Sequence, residues 1–177
     1  MPITNPVLQA IADRRSIRGY TSDPISKEQI DVLLKAAVES PSARDAQPWH
    51  FTVVQNADLL DEINEEAIKN FGITDRMHIF YHANTCIFIS ADSSNSWGRL
   101  DCGIAAGIIA LSAHSMGLGS VILGMPGGAF EGDKREHFEK LLKFPEGHAF
   151  AIAIAIGVPS ATKEAHPIQP NKTAIVQ

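Results

Sequence analysis

Within five residues, Arg14-Arg15-Ser16-Ile17-Arg18 places three guanidinium groups and a hydroxyl. Arginine stays charged at any working pH, and its planar fork meets phosphate oxygens two at a time. The segment reads in two ways: an inward-facing phosphate site, or a basic patch held in water. A second group follows in Pro41-Ser42-Ala43-Arg44-Asp45-Ala46-Gln47-Pro48-Trp49. Its small residues let the backbone approach a ligand, and Ser42, Arg44, Asp45 and Gln47 offer polar contacts. Trp49 either underlies a flat ring or belongs to the core. A third group, Gly124-Met125-Pro126-Gly127-Gly128, can turn backbone amides into a site. It has neither the lysine nor the spacing of a Walker A loop.

Other combinations offer less. His78 and His82 have the i, i+4 spacing that sets two ligands on one helix face, but no Glu adjoins His78 and no third ligand is apparent. They read as surface or core histidines. Asp92 and Asp101 form a carboxylate pair only if the fold brings them together. Cys86 and Cys102 lack both a CxxC pattern and basic neighbours that would lower a thiol pKa, so they read as free structural thiols of a reduced, cytoplasmic protein. There is no Gly-x-Ser-x-Gly elbow. Gly117-Leu118-Gly119 follows a helix instead of opening one, unlike a dinucleotide fingerprint.

The 177 residues suffice for one domain with a substantial core. A formal charge of −5 argues against a dedicated nucleic-acid binder, and in an acidic protein three clustered arginines suggest a local anion site over a general field. No apolar run has the length of a membrane span, and none follows a basic start as in a signal peptide.

The elements that must position these groups follow from pattern. Asn5-Pro6 starts a helix that runs to about Arg14, so the arginines fall where helix gives way to extended chain. Ser26 with Gln29 forms a capping box, and the helix behind it ends at Ser40 because Pro41 follows. Trp49 to Val54 reads as a strand, Asp58 as the cap of a third helix, and Phe71 to Asn84 as a short helix between loops. Thr85 to Ser90 reads as a buried strand. Leu100 to Met116 is the longest helix, apolar nearly all round. Its Gly103 and Gly107 serve either tight packing within the chain or a subunit interface. Ser120 to Leu123 is a short strand, Lys134 to Leu142 a helix, and Ala149 to Ile156 a central strand covered on both faces. The tail from Ser160 to Gln177 frays or wraps onto another surface. The whole reads as helices covering a mixed sheet of about four or five strands.

Taken in order, these segments resemble the FMN-dependent nitroreductase family. Arg-Arg-Ser-Ile-Arg is similar to its phosphate-binding segment. The proline-serine loop ending in Gln47-Pro48-Trp49 is similar to its second motif, and Asp101 with Gly103, ahead of Met116-Gly117-Leu118-Gly119-Ser120, to its third. The likeness runs from Ile11 to about Val158. It implies a single α+β domain over residues 1–177, a three-layer α/β/α sandwich around a central mixed sheet. It also implies an intertwined homodimer with FMN at the interface and the tail, about 160–177, wrapped onto the partner. The implied reaction is hydride transfer from NADH or NADPH through the flavin to nitro compounds, quinones or similar acceptors, with ping-pong kinetics. A dehalogenase or dehydrogenase of the same fold, or a non-catalytic flavin binder, are the alternatives.

Carried over by motif, Arg14, Arg15, Ser16 and Arg18 hold the phosphate and ribityl side of FMN. Pro41, Ser42, Ala43 and Arg44 approach the flavin from the partner, with Asp45 and Gln47 in the same motif. Leu123, Gly124 and Met125 lie along the isoalloxazine. Lys172, with Lys163 behind it, takes the place of a C-terminal basic residue on the phosphate. No catalytic side chain and no metal are implied, since the flavin carries the chemistry. Asp45 stands where the family commonly has Asn, and a carboxylate donates no hydrogen bond unless protonated. Gly107 and Ile108 replace a common Gln-Asn pair, and Pro126 removes one amide from the flavin loop.

Overall fold

A computed structural model describes residues 3–74, 77–167 and 169–177. Five α-helices and four strands follow in the order α1 (Pro6–Asp13), α2 (Lys27–Val38), β1 (Trp49–Val54), α3 (Ala57–Asn70), β2 (Thr85–Asp92), α4 (Gly98–Ser115), β3 (Gly119–Leu123), α5 (Arg135–Leu141) and β4 (His148–Gly157). Short 3-10 segments occupy Ala43–Asp45 and Met125–Phe130.

Local chemistry accounts for the element ends. Asn5 caps α1 by accepting from the Leu8 N–H, with Pro6 in the first turn. The capping box of α2 is complete: the Ser26 hydroxyl accepts from the Gln29 N–H and the Gln29 side chain from the Ser26 N–H. The cap of α3 is Asn56 and not Asp58; its side chain accepts from the Leu59 N–H, and Asp58 falls in the first turn, where its charge favours the helix dipole. α4 stops at Gly117, whose φ of +76° closes a Schellman turn with the Leu118 N–H on the Ala113 carbonyl. The short helix expected within 71–84 is absent from its described residues, which form turns; Asp75 and Arg76 lie outside them.

The sheet order is β1-β2-β4-β3, so β1 and β3 are its opposite edges. Every ladder between these strands is antiparallel. The mixed character expected of the sheet comes down to one parallel bridge, Ser16 to Ser120, which lays the arginine segment beside β3. Two cores cover the two faces. On one, Leu33 and Ala37 of α2 and Cys102, Ala105, Ala106, Ile109 and Ala113 of α4 meet Ile87, Ile89, Ile154 and Ile156. On the other, Leu60, Ile63 and Ala67 of α3 and Phe138 of α5 meet Phe88, Val121 and Phe150. The result is the three-layer α/β/α arrangement. β4 is buried along most of its length because helices lie on both sides of it, although its neighbours are antiparallel.

Cys86 and Cys102 are free and sit in the two separate cores. Burial pushes the Cys86 thiol pKa well above its ordinary value and that of Cys102 up to about 12, with Asp101 adding to the second. Neither is a nucleophile at neutral pH. α1 has no buried residue, and Val7, Leu8 and Ile11 are exposed on it.

Candidate functional site

Because α1 ends at Asp13, Arg14 leaves it in extended conformation and Ser16 reaches β3. The Ile17 N–H donates to the Ser120 carbonyl at 2.9 Å. Gly119 permits this approach, since a Cβ there would lie 3.0 Å from Ile17 and 3.1 Å from Pro159. Arg14 and Arg15 then face a cavity of about 350 Å³ that Lys163, His114 and Gly117 also line. Arg15 is held by its Nη1, which donates to the Ala12 carbonyl at 2.6 Å and to that of Arg14 at 2.9 Å. Its Nε is buried without a protein acceptor. The carboxylate of Asp13, which accepts from the Gln9 side chain, lines the cavity too; the three cations outnumber it, and with an unsatisfied guanidinium N–H they fit an anionic group such as a phosphate.

Arg18 is parted from that pair. It lines a different cavity with Tyr20, Tyr81, His78 and His82, its guanidinium carbon 5.6 Å from the centre of the Tyr81 ring. Lys172 is exposed in the tail, and the lysine on the arginine cavity is Lys163.

The loop from Pro41 to Pro48 has an unusual backbone. Arg44, Asp45 and Gln47 have φ of +58°, +55° and +47°, a region non-glycine residues seldom occupy. Side chains brace it. The Ser42 Oγ accepts from the Gln47 N–H at 3.0 Å, the Gln47 Nε2 donates to the Asp45 Oδ1 at 3.2 Å, and the carboxylate of Asp101 accepts from the Ala43 N–H. Ala43 and Arg44 border a cleft shared with Asp92 and Trp97. Trp49 packs in the core beside Phe51.

Leu123 ends β3 with its side chain buried, and Met125 begins the 3-10 segment that carries Pro126. Gly124 opens on a cavity of about 280 Å³ with Arg99, Phe130 and Phe150. From Gly119 to Gly124 the edge strand covers about 16 Å at about 3.3 Å per residue. The arginine cavity thus lies at one end of β3 and Gly124 at the other. The Pro41–Gln47 loop leads into β1, across the sheet, about 14 Å away at three strand spacings. One chain therefore brings the first and third groups to a common edge and holds the second apart.

Asp92 and Asp101 do not pair. Asp92 accepts from the Ser94 N–H and hydroxyl, while Asp101 faces Ala43. The brace from Asp101 has no sequence signal, since a carboxylate in the first turn of a helix ordinarily reads as a dipole partner. His78 and His82 are not on a helix. Their ring centres lie 4.1 Å apart in a turn, the planes tilted by 30°, with His78 Nε2 3.0 Å from Asp61 and His78 Nδ1 accepting from the His82 N–H.

Fold and site define an α/β/α protein with a cationic cavity and a glycine-lined one at the two ends of an edge strand. Residues 11–158 match the model of the Nitroreductase family. A Methanothermobacter thermautotrophicus protein named as NADH dehydrogenase/NAD(P)H nitroreductase is 38% identical, over 87% of this chain and 78% of its own length. An iodotyrosine deiodinase of Thermotoga neapolitana is 26% identical over 87% and 89%. The crystal structure of a nitroreductase with bound FMN from Desulfitobacterium hafniense superimposes with a TM-score of 0.92, at 31% identity, covering 99% of this chain and 100% of that one. The chain belongs to the Nitroreductase family.

Proposed function

We propose that the protein is an FMN-dependent NAD(P)H oxidoreductase that reduces nitro compounds, quinones or similar acceptors. The observation that carries this reading is the cavity of Arg14, Arg15 and Lys163, beside the unsatisfied Arg15 Nε, at the head of an edge strand that Gly124 follows. FMN, when bound, supplies the hydride chemistry, taking two electrons from a nicotinamide and passing them to an acceptor. The chain's own residues bind and orient. Arg14, Arg15 and Lys163 hold the phosphate; Ser16 and the β3 edge flank the ribityl chain; Leu123, Gly124 and Met125 border the ring. Arg18 comes to the flavin from the Tyr81 side, with Lys172 of the tail as a further cation. Donor and acceptor take turns at one site, which gives ping-pong kinetics.

In this reading the active unit is a homodimer. Pro41, Ser42, Ala43, Arg44, Asp45 and Gln47 reach the flavin of the partner, which their distance from β3 supports. A second support is the apolar face that α4 leaves open. Leu100 and Ile104 are exposed there, and nothing lies within 4 Å of a Cβ built on Gly103 or Gly107, so these glycines do not serve packing within the chain. The tail, Ser160 to Gln177, wraps onto the partner; Ile175 and Val176 are exposed, and Ile168 lies outside the described residues. Two buried free thiols suit a cytoplasmic setting.

The test is an absorption spectrum of the purified protein followed by NADH or NADPH under argon. A bound flavin that bleaches, then recovers with a nitroaromatic or quinone, is the expected result. Bound flavin that bleaches with neither nicotinamide moves the assignment to a specialised flavoenzyme. The Thermotoga neapolitana relative favours reductive dehalogenation as that second reading, and turnover of a halogenated tyrosine separates the two.

A further inference from the structure

Asp101 is 3% exposed, and among the described residues no cation pairs with it. A carboxylate in such a place is costly unless hydrogen-bonded. Its two oxygens lie 3.3 and 3.2 Å from the backbone nitrogen of Ala43, 58 residues away in sequence. Ala43 begins the 3-10 turn whose next two residues, Arg44 and Asp45, are left-handed, as is Gln47. Three non-glycine residues in that region within four positions constitute stored backbone strain, which persists only where surroundings enforce it. Two of the braces, from Ser42 and Gln47, are internal to the loop and move with it. Among the described residues, the bond from Asp101 is the side-chain tie from the loop to a rigid element, the first turn of α4.

We propose that Asp101 is a positioning residue that clamps the Pro41–Gln47 loop to α4 and so holds Ser42, Ala43 and Arg44 in the shape that receives the flavin. The proposal rests on the flavin reading above. It also links two parts of that reading: the helix that holds the loop is the one whose open face carries Gly103, Ile104 and Gly107. Asp101 itself does not touch the cofactor; it acts through the Ala43 N–H.

The test compares Asp101→Leu, Asp101→Asn and Ala43→Pro with wild type. Leucine removes the acceptor at similar volume, and asparagine keeps one carbonyl oxygen for the Ala43 N–H. Proline removes the donor from the other side of the bond and suits the first position of a helical turn. FMN affinity is read by fluorescence titration, and loop order by the rate of trypsin cleavage after Arg44 without FMN. Asp101→Leu and Ala43→Pro should each weaken FMN binding at least about tenfold and speed the cleavage. The double variant should be no worse than the weaker single one, because both changes delete one bond. Asp101→Asn should stay within about threefold of wild type. Unchanged FMN affinity in the first two, or additive losses in the double variant, overturns the proposal. So does an equal loss of affinity in Ile63→Val, a core change on the opposite face that measures destabilisation alone. If Asp101→Leu does not fold, Ala43→Pro decides. If the wild-type chain binds no FMN, the flavin reading fails and the clamp is judged by trypsin: faster cleavage after Arg44 supports it, and an unchanged rate overturns it.

Discussion

Arg15 shows how one side chain can be legible in type and hidden in use. Its Nη1 is already engaged with the carbonyls of Ala12 and Arg14, which anchors the guanidinium on the end of α1. Among the described residues neither the buried Nε nor Nη2 has a protein acceptor, which leaves both for a ligand. A charge-assisted hydrogen bond contributes about 1.5–3 kcal/mol. Arg15→Ala should therefore weaken FMN binding by roughly 10- to 100-fold, as measured by equilibrium dialysis, while Arg15→Lys, which has no second fork, should recover only part of it. An unchanged affinity would move the phosphate to another cavity. That three arginines lie within five residues is plain in the sequence. That Arg18 turns to Tyr81, away from the other two, depends on a ring 63 positions later that no local pattern reports. Lys163 and Lys172 look alike on paper; only the path of the chain past Pro159 brings the first to the arginine cavity.

Among the elements, α3 and the 3-10 segment after β3 pack closely. A Cβ on Gly128 would lie 2.6 Å from the Phe71 ring and 2.9 Å from the Ala67 carbonyl. The ring can give way; the helix backbone cannot. Gly128→Ala should destabilise the protein by about 1–3 kcal/mol, the usual cost of overpacking, seen as a lower urea midpoint with an unchanged slope. No loss of stability would mean that α3 and this segment slide freely past one another. The helices were readable from caps and apolar period, as with Ser26–Gln29 and the run from Ile104 to Ala113. The direction of the strands beside Ala149 to Ile156 was not, because burial on both faces makes such a run apolar whichever way the adjacent strands point. The turn at 79–82 was also missed as such: Tyr81 and His82 have positive φ without being glycine or asparagine, so nothing local marks it.

For the whole molecule, the open face of α4 and an α1 with no buried residue carry the prediction. Placing a charge there, as in Ile104→Glu, should turn the proposed dimer into a monomer by sedimentation and remove FMN with it, since the 41–47 loop that the partner contributes in that reading is then missing. A variant that stays dimeric and retains flavin would locate the interface elsewhere. By itself the sequence determined most of the helices and strands, the acidic net charge, and the residue types of the three segments proposed to meet a phosphate and a flat ring, because caps, periodicity and residue chemistry act over a few positions. Tertiary structure decided that β3 runs between the first and third segments, that β1 carries the second to the far edge, and that Asp101 holds the loop through Ala43. These depend on strand order and register, which are set by how the two cores close around the sheet and are written in no single stretch of the chain.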